Sequence, residues 1–160
     1  MAFTYDQLKT AIQDYTQNTE TSFVTNLPVF IRSAEERILK TVQLTLFRKN
    51  STGNMTASDE YLIQPTDFLA PFSLSFTDAN NDKKFLDFKS VNFIQEFNPD
   101  RSVTGEPRYY ANFDVSSFIL GPTPNSNYAV ELHYYYRPAS LTAGAGSGET
   151  WLSQNAELTL

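Results

Sequence analysis

Residues 118–138 read FILGPTPNSNYAVELHYYYRP. The stretch alternates, turns through Gly121–Asn127, and alternates again from Tyr128 to Tyr136. A period of two marks a strand, whose successive side chains point to opposite faces. Three tyrosines in a row therefore cannot all enter one core. With Tyr135 taken as inward, Tyr134 and Tyr136 point outward and His133 shares the face of Tyr135. Tyr109 and Tyr110 pose the same question. Outward aromatics of this kind suit a ligand platform, a packed second layer, or a surface that meets another protein chain.

Upstream, PFSLSFT (71–77) and KKFLDFK (83–89) alternate on either side of DANND, which predicts a hairpin. RYYANFD (108–114) and SFILG (117–121) predict a second one across Asp114–Ser116. Ser90 caps a short helix, VNFIQEF, and β-like segments broken by turn residues start near Thr45. Before them the texture is helical. Thr4 and Gln7 have capping-box spacing, and Tyr5, Leu8, Ile12 and Tyr15 share a helical face over 4–16. A second helix is expected over about 27–41, with a turn at 21–26 and Asn26 as its cap, because Pro28 removes a donor and clashes with the preceding turn.

After Pro138 the chain is rich in Gly, Ala and Ser, and ETWLSQNAELTL then spaces Leu152, Ala156 and Leu160 at helical intervals, with Thr150 as the candidate cap. The resulting expectation is an α+β fold: a helical bundle, made of the N-terminal helices plus a C-terminal helix, with an inserted antiparallel β domain. Its parts are an N-terminal helical part at 1–44, the β domain at 45–138, a linker at 139–149 and the start of the C-terminal helix at 150–160.

A chain of 160 residues is long enough to bury a core without staples, and it has no cysteine. Its 12 basic and 18 acidic residues give a net charge of −6, which argues against a nucleic-acid binder. RK at 48–49 and KK at 83–84 read as solvated strand ends. No apolar run approaches the ~20 residues of a membrane span, so no membrane partner is expected, and the first residues do not read as a secretory leader.

The chemistry-bearing residues are sparse. His133 is the one histidine, and no nucleophile elbow accompanies it. DANNDKK lacks the glycine and glutamate of a calcium loop, and the twelfth residue of that window is Lys89. The carboxylates Asp59/Glu60, Asp78/Asp82 and Asp67 sit in turns or at strand starts. TAGAGSGET lacks the strand, helix and lysine of a phosphate cradle. No catalytic, cofactor or metal residue is assigned, and a non-enzyme is expected.

TYDQLKTAIQDYTQNTETSFVTNLPVFIRSAEERILKTVQL, YLIQPTDFLAPFSLSF, VNFIQEF, GEPRYYANFD, the opening stretch and TWLSQNAELTL together resemble the head-to-tail adaptor (connector) proteins of tailed bacteriophages. The likeness runs from about residue 4 to the end and carries no catalytic signature. It implies a structural virion protein of the neck, made in the host bacterial cytoplasm. Such a protein forms a homo-oligomeric ring, typically a dodecamer, that binds the portal above and tail or nozzle proteins below. Double-stranded DNA passes through the ring without specific binding. The resemblance also implies further helical chain beyond the W-L block. On this reading Tyr109, Tyr110, Tyr134, Tyr136, Trp151, Leu152 and Leu160 meet a neighbouring subunit or partner. The alternative is a carbohydrate-binding β module of a phage or surface protein, with Tyr109, Tyr110, Tyr134 and Tyr136 as its platform. A hydrolase built on His133 is the third reading.

Overall fold

The computed structural model describes residues 4–41, 45–140 and 151. Leu152 and Leu160, the C-terminal helix and most of the linker lie outside the described residues. The chain divides into two compact units, Met1–Leu44 with Arg137–Leu160, and Thr45–Tyr136.

In the first unit, α1 (Tyr5–Thr16) opens with the expected capping box: the Gln7 amide donates to Thr4 Oγ1 at 3.2 Å and the Thr4 amide to Gln7 Oε1 at 2.9 Å. Tyr5 is buried and packs with Ile31, Leu8, Ile12 and Trp151. Tyr15, expected on the same apolar face, is exposed. Helix α2 runs unbroken over Thr21–Thr41 with Pro28 inside it, so the turn at 21–26 and the Asn26 cap do not form. Asn26 Nδ2 instead donates to the Ser22 carbonyl at 2.8 Å, and Thr25 Oγ1 to the Thr21 carbonyl at 2.7 Å. Leu27 and Ile31, buried before and after the proline, hold both sections of the helix, and that burial outweighs the donor lost at Pro28.

The second unit consists of β1 (Arg48–Met55), β2 (Tyr61–Ile63), β3 (Phe68–Thr77), β4 (Lys83–Phe88), α3 (Val91–Phe97), β5 (Thr104–Gly105), β6 (Tyr109–Asn112), β7 (Ser117–Gly121), β8 (Thr123–Pro124) and β9 (Tyr128–Tyr136). Seven strands form one sheet in the order β1-β9-β3-β4-β6-β7-β2, and β5 pairs with β8 in a small ribbon. The sheet is barrel-like and nearly closed. Both predicted hairpins are present, β3–β4 and β6–β7. Asp78 ties the first turn by accepting from the amides of Asn80 and Asp82, each at 2.9 Å. Asp114 ties the second by accepting from Ser116 and Ser117 at 2.7 and 2.8 Å.

Two expectations are corrected here. The described residues are mostly β, with three helices and not a helical bundle carrying an insert. The reason lies in where the apolar mass goes: the alternating strands bury a continuous aromatic and aliphatic interior, whereas α1 and α2 bury a small cluster. The sheet is also mixed, because β4 runs parallel to β6 and β5 parallel to β8.

Inside the barrel, Phe118 meets Phe68 and Tyr110 edge-on at ring distances of 5.2 and 5.5 Å. The phase of β9 is set by Val130 opposite Phe76 and Leu132 opposite Leu74. Burying that pair turns Glu131 and His133 outward. By parity Tyr134 then points into the barrel and Tyr135 to the outer side, where it is still only 8% exposed, the reverse of the assignment drawn from the three tyrosines.

Candidate interaction surfaces

In the helical unit, α1 and α2 frame an open apolar cleft of about 450 Å³, lined by Leu8, Ile12, Phe23, Leu27, Ile38 and Trp151 among others. One acid stands at its wall. Glu35 is buried, accepting from Trp151 Nε1 at 3.1 Å and from Ser140 Oγ at 2.7 Å. Its neighbour Glu36 takes Arg137 Nη2 on both oxygens, at 2.7 and 2.6 Å. Successive carboxylates of α2 thus hold the chain at 137, 140 and 151 to the same helix.

In the β unit, the outer face of β1, β9 and β3 carries Arg48, Asn50, His133, Tyr135, Ser73 and Glu131 in register. A register shift between Pro71 and Ser73 puts Phe72 on this side of the sheet, half-exposed, with its ring 6.3 Å from that of Tyr135. A β-bulge is the usual device for re-aiming one side chain this way. The Arg48 guanidinium lies 4.2 Å from the Phe72 ring centre, and Arg48 Nε and Nη2 donate to the Tyr135 hydroxyl at 3.3 and 3.2 Å. The basic pair RK at 48–49 is therefore more than two solvated strand ends. Arg48 sits in an aromatic clamp, and Lys49 donates to Asp67 Oδ2 at 2.7 Å. Asp67 is drawn two ways: burial raises its pKa, but the bonds from Lys49 and Tyr134 outweigh that and hold its carboxyl below the usual range.

A second apolar area lies on the outer side of β2, β6 and α3. Phe93 and Phe97 stack at 6.1 Å, and both meet Tyr109 edge-on at 5.1 and 4.9 Å. Ile63 is 85% exposed and Val115 99%. Phe113, itself partly exposed, packs against Tyr61 at 5.0 Å.

The structure separates the tyrosines singled out in the sequence. Tyr134 and Tyr110 are interior, 1% and 2% exposed. The Tyr134 hydroxyl donates to Asp67 Oδ1 at 2.7 Å, so burial and that carboxylate both push its pKa up. Tyr136 is partly buried against the core, and Tyr109 packs with Ile94 beneath α3. Trp151 reaches Glu35. A platform of four tyrosines is not assembled on one face. Period-two alternation in 71–77 puts Phe72 on one face with Leu74 and Phe76, but the register shift between Pro71 and Ser73 leaves Phe72 half-exposed while Leu74 and Phe76 are buried. Arg48, Phe93 and Phe97 were not assigned to a partner surface from the sequence.

The model of the family described as SU10 adaptor protein matches residues 3–158. The chain belongs to that family. It is thus a phage adaptor, a component of the virion that interacts with head or tail parts. No curated protein matches the chain.

The adaptor does bring Ser73 Oγ to 3.4 Å from His133 Nδ1 and Glu131 Oε1 to 3.6 Å from Nε2. These groups lie on the outer face of paired strands, where the ladders with β1, β3 and β9 occupy backbone N–H groups that an oxyanion hole would need. Glu131 is also bound to Lys83 and Asn50, which keeps its carboxyl below the ordinary range. The arrangement is a surface polar network, in keeping with a structural family.

Proposed function

We propose that this adaptor forms a ring in the virion neck, docking beneath the portal and prolonging the DNA channel toward the tail. The observation that carries this reading is the match to the adaptor family over nearly the whole chain, from residue 3 to 158. Two features support it. A closed ring needs two different lateral surfaces on each subunit, and contacts of that permanence bury on the order of 2,000 Å² or more. The β unit offers the Arg48–Phe72–Tyr135 side and the Phe93–Phe97–Tyr109 side as distinct faces. The net charge of −6 suits a channel through which phosphates must slide, since phosphate contacts would hold the DNA. About a dozen copies are expected on the portal, with tail or nozzle proteins below.

Mass measurement by light scattering tests this, on the chain alone and after mixing with candidate portal rings. The expected result is a portal-bound assembly of about twelve copies. A stable monomer that ignores every portal offered overturns the ring.

A further inference from the structure

We infer that Arg48, clamped between Phe72 and Tyr135, is an anchor through which the β unit of one copy binds a carboxylate on a second copy. The inference rests on the ring reading and names the chemistry of one lateral contact.

Four observations meet at this residue. First, Arg48 is exposed and, like Arg32, Arg37, Lys40, Lys89 and Arg108 among the described residues, has no carboxylate at salt-bridge distance; of these six it is the one that donates to a tyrosine hydroxyl. Second, its orientation is already fixed. The Tyr135 hydroxyl takes Nε and Nη2, and the Phe72 ring lies against the guanidinium plane, so Nη1 and its edge remain to receive an acid. An arginine held flat loses little freedom when it binds, and arginine with aromatic neighbours is the composition of an interface hot spot. Third, the bulge at Phe72 places a large apolar ring 51% in solvent instead of in the barrel. Its ring contacts on this side are with Tyr135 and Arg48, and about half of its surface is left for a partner to cover. Fourth, the chain is acidic, with 18 carboxylates against 12 cations, so a second copy can present an acid to this clamp.

A DNA phosphate fits less well. Binding along a phosphate backbone takes several cations, and Glu131 stands on the same face with its charge toward any approaching phosphate. Within a ring the nearest surfaces to each subunit are its two neighbours, and a contact that repeats head to tail must match a cation of one patch with an acid of another patch on the same sequence.

The absence of cysteine and the identity of the group allow a direct test. Arg48→Lys keeps a cation at this position and supplies an amine that a carbodiimide joins to a carboxylate in contact with it. Assemblies grown from mixed 14N and 15N chains of this variant, with or without portal, are cross-linked and digested. The expected product joins position 48 of one isotope to an Asp or Glu peptide of the other. In parallel, Arg48→Glu and Phe72→Ser are expected to lower the assembled fraction at least tenfold while thermal unfolding by circular dichroism stays within a few degrees of wild type. Cross-links at position 48 only within one chain, to portal, or to nothing, beside assembly by all variants as complete as that of wild type, overturn the anchor and leave the ring standing. Protection of position 48 by DNA alone overturns it in favour of phosphate. A wild-type chain that never assembles removes the ring reading and the anchor together.

Discussion

The helical unit and the β unit use the same ingredients, apolar stripes with polar backs, and reach different ends. In the β unit the stripes of seven strands curve onto one another, and Leu74, Phe118 and Tyr134 have essentially no exposure. In the helical unit, among the described residues, α1 and α2 frame a cleft of about 450 Å³. A curved sheet supplies its own second layer. A pair of helices does not, so its apolar face needs another element to cover it. Core-like burial belongs to the β unit and an open apolar cleft to the helical unit, while the outer faces of the barrel carry the aromatic clusters described above.

The strongest way to break this contrast is to cut the two cores in turn. Phe118→Ala removes the ring on which Phe68 and Tyr110 converge and is expected to cost about 3–5 kcal/mol. Leu27→Ala removes a buried side chain that already borders the cleft, so the loss falls at the low end of the range for such truncations, about 2–3 kcal/mol. Trp151 is the one tryptophan, so its fluorescence follows the helical unit, and the near-ultraviolet dichroism of the many tyrosines follows mainly the barrel. Phe118→Ala should move the dichroism midpoint in urea more than the fluorescence midpoint, and Leu27→Ala the reverse. Coincident shifts of both signals in both variants would mean that the units unfold as one.

A pH series sharpens the contrast from the barrel side. Burial pushes the Tyr110 hydroxyl up to about 12 from an ordinary 10.0. A raised folded-state pKa means that the neutral form is favoured in the folded state. The associated stability is complete below pH 10 and is lost as pH rises toward 12. Tyr134 adds to the same limb through burial and Asp67. Tyr110→Phe has no proton to lose, so its stability should fall less between pH 9 and 11.5 than that of wild type, by more than about tenfold in the folding equilibrium. Equal slopes in the two proteins would show that Tyr110 does not control the alkaline limb.

Much of the barrel was legible because its signals are local. The hairpins at 78–82 and 114–116, the Ser90 cap and the Thr4 capping box each lie within a few residues of what they organise. What escaped is set at a distance. The phase of β9 depends on Val130 and Leu132 meeting β3, and a run of three tyrosines has no polarity contrast from which to read it. The parallel pairing of β4 with β6 joins segments separated by α3, and nothing in either segment announces it. Pro28 misled because a local rule was overridden by burial on both sides. The Arg48 clamp needs a bulge 24 residues away and a tyrosine 87 residues away, so a basic dipeptide at a strand start looked ordinary.

Two glycines of the barrel give the smallest and most local test, since the same added methyl group meets different surroundings. At Gly121 a Cβ would stand 3.0 Å from Ile94 Cγ2, the side chain that seats α3 on β7, and Phe97 is next to it at 3.8 Å. Ile94 is 2% exposed and has little room to give way. Gly121→Ala should therefore cost about 1–2 kcal/mol through overpacking and loosen the Phe93–Phe97–Tyr109 face with it. At Gly53 the nearest atom is Val130 Cγ2 at 3.5 Å, an ordinary contact, and a groove of about 220 Å³ lies beside it. Gly53→Ala should gain roughly 0.5 kcal/mol, because alanine has less backbone freedom to lose in a strand. Urea midpoints moving in opposite directions would confirm that the α3 side of the barrel is packed to its limit while the β1 side retains slack. A loss at Gly53 equal to that at Gly121 would mean that the β1 side is as tight as the rest, and the groove beside it could not admit even a methyl group.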